Sequence, residues 1–178
     1  MLVSNANCED RAAVGPIIFL TPGFAVTDAA TAADFAALAG QGFKAVINNR
    51  PDGEEAGQAS ATDEARRARA AGLGYRHVPA SKLEVFTDRV VDGMADALEA
   101  LEGPVVAHCK SGLRSAMVWA AAEARRAPVA DILARLSNAG FDLEFLRDEL
   151  DQQADRGIVR ATVPNGPSAV PIARIGGA

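Results

Sequence analysis

The residues best suited to chemistry lie in one short stretch, residues 105–115, which reads VVAHCKSGLRS. It begins with a β-branched apolar run typical of a buried strand, and an alanine-rich segment at helical spacing follows it. A strand that turns tightly into a helix directs several backbone N–H groups, and the positive end of the helix dipole, at one point. Cys109 lies at that point, where a positive field favours the thiolate form. We therefore predict an anion-binding loop with Cys109 as its nucleophile.

The other residues of the loop have types that suit this role. Arg114 can bind an oxyanion through two parallel N–H donors, so we assign it to catalysis together with Cys109. Ser115 is the third catalytic candidate, because its hydroxyl can donate a hydrogen bond to the thiolate. His108 is expected to orient the loop from behind rather than to transfer protons. The predicted anion ligands, through backbone N–H groups or side chains, are Lys110, Ser111, Gly112, Leu113 and Arg114.

This loop resembles the active-site loop of cysteine-dependent phosphatases, in which His-Cys opens the loop and Arg-Ser or Arg-Thr closes it. Tyrosine and dual-specificity phosphatases place five residues between Cys and Arg, whereas four separate Cys109 from Arg114. Four is the spacing of rhodanese-type sulfurtransferases, whose smaller ring suits a persulfide sulfur on the cysteine. Both resemblances imply a nucleophilic cysteine, and the alternative, an inert buried cysteine at a strand end, does not explain its neighbours.

A second candidate loop, residues 48–55, reads NNRPDGEE and follows the predicted strand 43–47. Ligands of open α/β sheets bind beyond the carboxyl ends of the strands, which is where this loop would lie. It can contact substrate, brace the cysteine loop, or form a plain solvated turn, since Pro-Asp-Gly favours turns. We assign Arg50 to anion binding and Asp52 to acid–base catalysis.

Length and charge exclude several classes of protein. The chain has 178 residues and a formal charge of −5, which predicts a single domain without a nucleic-acid-binding face. No apolar run approaches the ~20 residues that a membrane span needs. Residues 1–15 lack the apolar centre of a signal peptide, so a cytoplasmic protein is expected. Its two cysteines, Cys8 and Cys109, and two histidines have no paired spacing, so we expect no disulfide framework, metal or cofactor. The oligomeric state stays open.

Strands and helices alternate along the chain, which predicts an α/β fold with a mainly parallel central sheet flanked by helices. We place strands at residues 16–20, 24–26, 43–47, 75–79 and 105–107. We place helices at residues 31–39, 62–71, 87–101, 115–126, 128–139 and 143–156. The predicted organisation is a flexible leader (1–15), one catalytic domain (16–156) and an extended tail (157–178).

Four segments together resemble one bacterial family, the phosphatase-like domain of β-lactamase-hydrolase-like proteins, whose members are also called sulfur transferases. They are FKAVINNRPDGEE (43–55), YRHVP (75–79), HCKSGLRS (108–115) and AGFDL (139–143). The similarity covers roughly residues 17–149 and implies a dual-specificity phosphatase-like fold. Some members are fused to a sulfide-oxidising partner, which implies a link to sulfide and persulfide metabolism.

Three functions remain open. Sulfur transfer through a Cys109 persulfide, from a donor such as thiosulfate to a thiol acceptor, is the main expectation because it needs no acid for the leaving group. The alternative is hydrolysis of a phosphate ester through a phosphocysteine, which does need such an acid. In dual-specificity phosphatases that acid is an Asp after the strand corresponding to residues 75–79, where this chain offers only Glu84 and Asp88. The third is a non-catalytic anion-binding module.

Overall fold

The computed structural model describes residues 16–162, so the predicted leader with Cys8 and most of the predicted tail lie outside the described residues. The strands are β1 (Ile18–Thr21), β2 (Phe24–Thr27), β3 (Ala45–Asn48), β4 (Gly74–His77) and β5 (Val105–His108). The helices are α1 (Ala29–Ala32), α2 (Phe35–Gly40), α3 (Ala61–Ala70), α4 (Asp88–Ala100), α5 (Leu113–Ala124), α6 (Val129–Asn138) and α7 (Arg147–Thr162). A 3₁₀ turn, Glu144–Leu146, precedes α7.

The strands form one sheet in the order β1-β2-β5-β3-β4. All neighbours pair in parallel except β1, which is an antiparallel edge strand on β2. β5 is therefore central, and His108 at its end lies level with Thr27 on β2 and Asn48 on β3. This confirms the predicted α/β class, and it places the loops that follow β2, β3 and β5 at one edge.

Both faces of the sheet are covered by helices, so its strands carry apolar side chains on each side. Val106 points into a core that includes Phe35 and Leu38 of α2. Its neighbours Val105 and Ala107 point into the larger core on the other face. Helices α4, α5, α6 and α7 supply that second core, and β5 is buried along its whole length. The strand that leads directly into Cys109 is thus fixed from both sides.

A glycine makes the turn from β5 into α5 feasible. Gly112 precedes α5 with φ of 85°, a left-handed conformation that other residues adopt only with strain. A Cβ atom at this position would lie 3.3 Å from the carbonyl oxygen of Thr27. The cysteine loop therefore folds tightly against the end of β2.

Most helix ends lie within two residues of the predicted ones, and two helices differ more. The helix predicted over residues 31–39 is divided into α1 and α2, because Asp34 caps α2 by accepting a hydrogen bond from Ala37 N at 2.9 Å. The last helix continues to Thr162, so residues 157–162 of the predicted tail are helical. Gly157 allows α7 to approach α5 there, since a Cβ would lie 2.2 Å from the Arg125 carbonyl oxygen.

Candidate active site

The nucleophile candidate lies at the floor of a cavity of about 360 Å³. Cys109 is 1% exposed, and its Sγ accepts a hydrogen bond from Gly112 N at 3.2 Å. The N–H groups of Leu113, Arg114 and Ser115 belong to the first turn of α5, so they have no acceptor within the helix. The predicted ligand residues 110, 111, 113 and 114 line the same cavity as the thiol. An anion above Cys109 would therefore meet backbone donors and the α5 dipole together.

The guanidinium of Arg114 is held in place by hydrogen bonds from its Nη1 and Nη2 atoms. Its Nη1 donates to the carbonyl oxygens of Ala80 at 2.9 Å and Asn49 at 3.4 Å. Its Nη2 donates to Glu54 Oε1 at 2.6 Å. Nε and the second Nη2 hydrogen have no acceptor among residues 16–162, so they are available to an oxyanion. The guanidinium is thus oriented before any ligand binds.

Two glutamates of the loop after β3 connect the basic residues of the site. Glu54 bridges Arg114 and Arg50, whose Nε donates to Glu54 Oε2 at 3.1 Å. Glu55 bridges Arg50, at 2.8 Å from its Nη2, and Lys110. Arg50 therefore reaches the cysteine loop through these carboxylates. No hydrogen bond or ion pair joins Arg50 to Cys109 or Arg114 within the described part of the chain.

The same contacts set the ionisation of both carboxylates. Burial alone would raise the pKa of Glu54, but hydrogen bonds and charges from Arg114 and Arg50 outweigh it and lower the pKa below its ordinary value of 4.5. The hydrogen bond from Lys110 is the main cause that lowers the pKa of Glu55. Both groups are anionic at neutral pH. They suit the role of holding cations better than that of donating protons.

A buried polar cluster lies behind the cysteine loop. Its centre is Glu64 of α3, whose side chain is 12% exposed. Oε2 of Glu64 accepts hydrogen bonds from Asn48 Nδ2 at 2.8 Å and Tyr75 OH at 3.0 Å. Nε2 of His108 lies 3.2 Å from the same oxygen, within ion-pair distance but without hydrogen-bond alignment. The residue before the nucleophile thus contacts a buried carboxylate, which fits its predicted orienting role.

Burial and hydrogen bonding oppose each other within this cluster. Burial raises the pKa of Glu64, but the contacts with His108 and Tyr75 outweigh it, so the pKa is lowered overall. Burial raises the pKa of Tyr75 well above its ordinary value, and the charge of Glu64 adds to the effect. The phenol therefore stays a hydrogen-bond donor to an ionised Glu64 throughout the neutral range.

Sequence reasoning missed Glu54, Glu55 and Glu64, although one signal was present. Residues 63–69 look like a solvated charged face, yet Glu64 shares one helix face with the buried Ala61 and Ala68. That spacing turns the carboxylate toward the sheet, where it contacts Asn48 of β3 and Tyr75 of β4. The two loop glutamates have no comparable signal, because their partners are distant in sequence.

Two predicted site residues differ in their surroundings. Ser115 Oγ is buried and has no hydrogen-bond partner among the described residues, so the expected hydrogen bond to Cys109 Sγ is not formed in this structure. Asp52 does not line the cavity that contains Cys109. Its Oδ1 accepts a hydrogen bond from Ala61 N at 2.7 Å, at the start of α3. The carboxylate satisfies a free N–H of a helix terminus, which is a structural role.

Replacing Asp52 distinguishes this structural role from the predicted acid–base role. Asp52→Asn keeps an acceptor for Ala61 N, so turnover should stay within about two-fold of wild type, whereas loss of a general acid costs ~10²-fold or more. Asp52→Ala removes the acceptor and should lower the free energy of unfolding by ~1 kcal/mol. Steady-state rates and urea unfolding check both. A large rate loss in Asp52→Asn would restore the catalytic assignment.

Solved structures share this architecture. A candidate phosphatase from Neisseria meningitidis superposes with a TM-score of 0.65 at 30% identity, covering 77% of this chain and 97% of that one. A candidate mouse dual-specificity phosphatase, solved with zinc tungstate, superposes with a TM-score of 0.56 at 19% identity, covering 93% and 100%. Fold and cysteine loop together define a phosphatase-like α/β protein. These likenesses confirm the dual-specificity phosphatase-like fold expected from the sequence.

The chain belongs to the family described as beta-lactamase hydrolase-like protein, phosphatase-like domain, whose model matches residues 16–126. This confirms the resemblance found in the sequence. A beta-lactamase hydrolase-like protein of Agrobacterium fabrum is 42% identical over 124 residues, 68% of this chain and 28% of that protein. One from Xylella fastidiosa is 37% identical over 123 residues, with the same coverage. The chain thus spans little more than a quarter of the length of these relatives.

None of the helices within residues 16–162 combines the length and the apolar character that crossing a membrane requires.

Proposed function

We propose that this domain is a cysteine-nucleophile phosphatase that hydrolyses phosphate monoesters through a phosphocysteine on Cys109. The observation that carries the proposal is the arrangement of Cys109 beneath the first turn of α5, with Arg114 anchored across the same cavity. A phosphoryl group needs donors for its charged equatorial oxygens, and backbone N–H groups plus a guanidinium supply them. The shared fold with candidate phosphatases supports the same conclusion.

The reaction would take two steps. In the first, the Cys109 thiolate attacks phosphorus, the bond to the ester oxygen breaks, and that oxygen leaves with the electron pair and is protonated from water. In the second, water attacks the phosphocysteine, the S–P bond breaks, and inorganic phosphate and thiolate are released. Ser115 Oγ, which lacks another partner in residues 16–162, would donate to the departing thiolate. Small anionic phosphate esters are the proposed substrates.

Sulfur transfer is the second candidate, and one observation favours it. The carboxylates around the site are engaged: Glu54 and Glu55 hold cations, and Asp52 accepts from a helix N–H. A sulfane sulfur donor needs no proton donor, because thiosulfate loses sulfite as a stable anion when the thiolate attacks its outer sulfur. The resulting Cys109 persulfide would then pass its sulfur to a thiol acceptor. The short loop between Cys109 and Arg114 agrees with this chemistry.

A direct comparison of the two reactions on one preparation tests the proposal. We expect hydrolysis of p-nitrophenyl phosphate by wild type and none by Cys109→Ser, with thiosulfate:cyanide transfer at background. Intact-mass measurement after thiosulfate treatment should show no adduct. A gain of ~32 Da on wild type alone, the mass of one sulfur on a cysteine, together with no phosphate release would contradict phosphatase activity and establish sulfur transfer. Absence of both reactions would indicate that the domain is a non-catalytic anion-binding module.

A further inference from the structure

The cavity above Cys109 has an apolar wall. Leu113 lines it and is 41% exposed, although it is a large apolar residue. Met117 lines it one helical turn further along α5, on the same face as Leu113. Val85 completes the wall from the loop before α4. An inorganic anion uses none of this surface, so the wall fits an apolar organic group attached to the anion.

A lysine without a partner lies on the same cavity. Lys82 lines it and has no ion pair or hydrogen bond among the described residues. The other lysine of the site, Lys110, is paired with Glu55. The nearby Glu84 does not neutralise Lys82, because its carboxylate accepts from Ser81 N at 3.2 Å and Arg89 Nη2 at 2.9 Å. The cavity therefore presents a free cation beside an apolar wall.

The acids around the site restrict the leaving group. The hydrogen bond from Ser81 is the main cause that lowers the pKa of Glu84, so this carboxylate is ionised at neutral pH, as are Glu54 and Glu55. None of the three is a ready proton donor to a leaving oxygen. A phenol leaves as a stabilised anion, whereas an aliphatic alcohol leaves poorly without an acid. An aromatic ring also fits the wall of Leu113, Met117 and Val85.

We infer that the preferred substrate is an aryl phosphate that carries a second negative charge on its ring, and that Lys82 binds this charge. The inference rests on the proposed phosphatase function and adds the specificity of the same site. The phosphate lies over Cys109 with Arg114, the ring lies on Leu113 and Met117, and the second anion meets Lys82. Lys82 is thus a specificity-determining residue rather than a part of the reacting centre.

Phenyl phosphate and 4-carboxyphenyl phosphate provide the matched probes, because the second differs from the first by one carboxylate on the ring. The measured quantity is kcat/KM for 4-carboxyphenyl phosphate divided by kcat/KM for phenyl phosphate. It is determined for wild type, for Lys82→Gln and for the control Lys44→Gln. Lys44 lies next to β3 at the opposite end of the strand from the site. Comparing this ratio between variants cancels the difference between the leaving groups. We expect Lys82→Gln to lower the ratio about three- to five-fold, the effect of one partly exposed ion pair, and Lys44→Gln to leave it unchanged.

A binding measurement separates this inference from the proposed function. Calorimetry with Cys109→Ser should show tighter binding of 4-carboxyphenyl phosphate than of phenyl phosphate, and Lys82→Gln in that background should remove the difference. If this difference persists without Lys82, or if the kcat/KM ratio is the same in Lys82→Gln as in wild type, the assignment of Lys82 is wrong. If wild type turns over neither probe while binding still depends on Lys82, the phosphatase proposal fails and the binding site stands.

Discussion

Replacing Cys109 with serine is expected to reduce kcat/KM by ~10⁴-fold or more, because removing a catalytic nucleophile eliminates the covalent route. A thiolate is the reactive form of cysteine, and a serine hydroxyl does not ionise near neutral pH even beside a helix N-terminus. The substituted residue keeps the hydrogen-bond acceptor for Gly112 N, so the loop should retain its shape. Single-turnover assays with p-nitrophenyl phosphate measure the loss.

The second cysteine supplies the control for this prediction. Cys8→Ser should leave the rate unchanged, since Cys8 precedes the domain that matches the family. Tungstate binding by Cys109→Ser, measured by calorimetry, should be retained, because the proposed anion ligands are backbone N–H groups and Arg114. If Cys109→Ser keeps more than a tenth of the wild-type rate, or if Cys8→Ser shows the same loss, Cys109 is not the nucleophile.

Local sequence was enough to predict the cysteine loop and the class of fold. The order of residues from Val105 to Ser115 specifies a strand, a glycine turn and a helix start within one segment, so no distant contact is needed to infer their geometry. Alternation of strands and helices, with glycines at helix ends, likewise predicts a parallel sheet. The antiparallel β1 at the edge follows from a tight turn, Pro22–Gly23, between two short strands.

Contacts between distant segments could not be predicted in the same way. Glu54 and Arg114 are far apart along the chain, and only the parallel pairing of β3 with β5 brings their loops to one edge. The sequence indicated Asp52 as a candidate acid because its loop follows a predicted parallel strand, at the edge of the sheet where ligands bind. In the folded chain Asp52 turns back to α3, and Glu54, two residues later, faces the site.

Glu54 helps to orient the guanidinium of Arg114 before an anion binds. An arginine held only by its flexible side chain loses conformational entropy when it binds an anion. Glu54 and the carbonyl oxygens of Ala80 and Asn49 fix the guanidinium beforehand, so less entropy is lost on binding. Because the pKa of Glu54 is lowered in the folded state, this ion pair is present at neutral pH and is lost only as pH falls below the ordinary value of 4.5.

Arg114→Lys should therefore reduce kcat/KM by ~10²–10³-fold, the loss typical of removing a charged donor that stabilises the transition state. A lysine keeps the positive charge, but it is a single point donor. It cannot bond to Ala80 O, Asn49 O and Glu54 while presenting a planar pair of N–H groups to two phosphoryl oxygens. The loss should appear mainly in kcat, since those oxygens gain charge in the transition state.

Arg50→Lys is the matched comparison, because Arg50 is also a buried arginine bound to Glu54 but contacts the cysteine loop only indirectly, through Glu54 and Glu55. We expect a loss of about ten-fold or less, since Glu54 keeps its contact with Arg114 when Arg50 is shortened. Steady-state kinetics of both variants at one pH measure the difference. Equal losses in the two variants would mean that the whole ion-pair network, rather than the two donors of Arg114, stabilises the transition state.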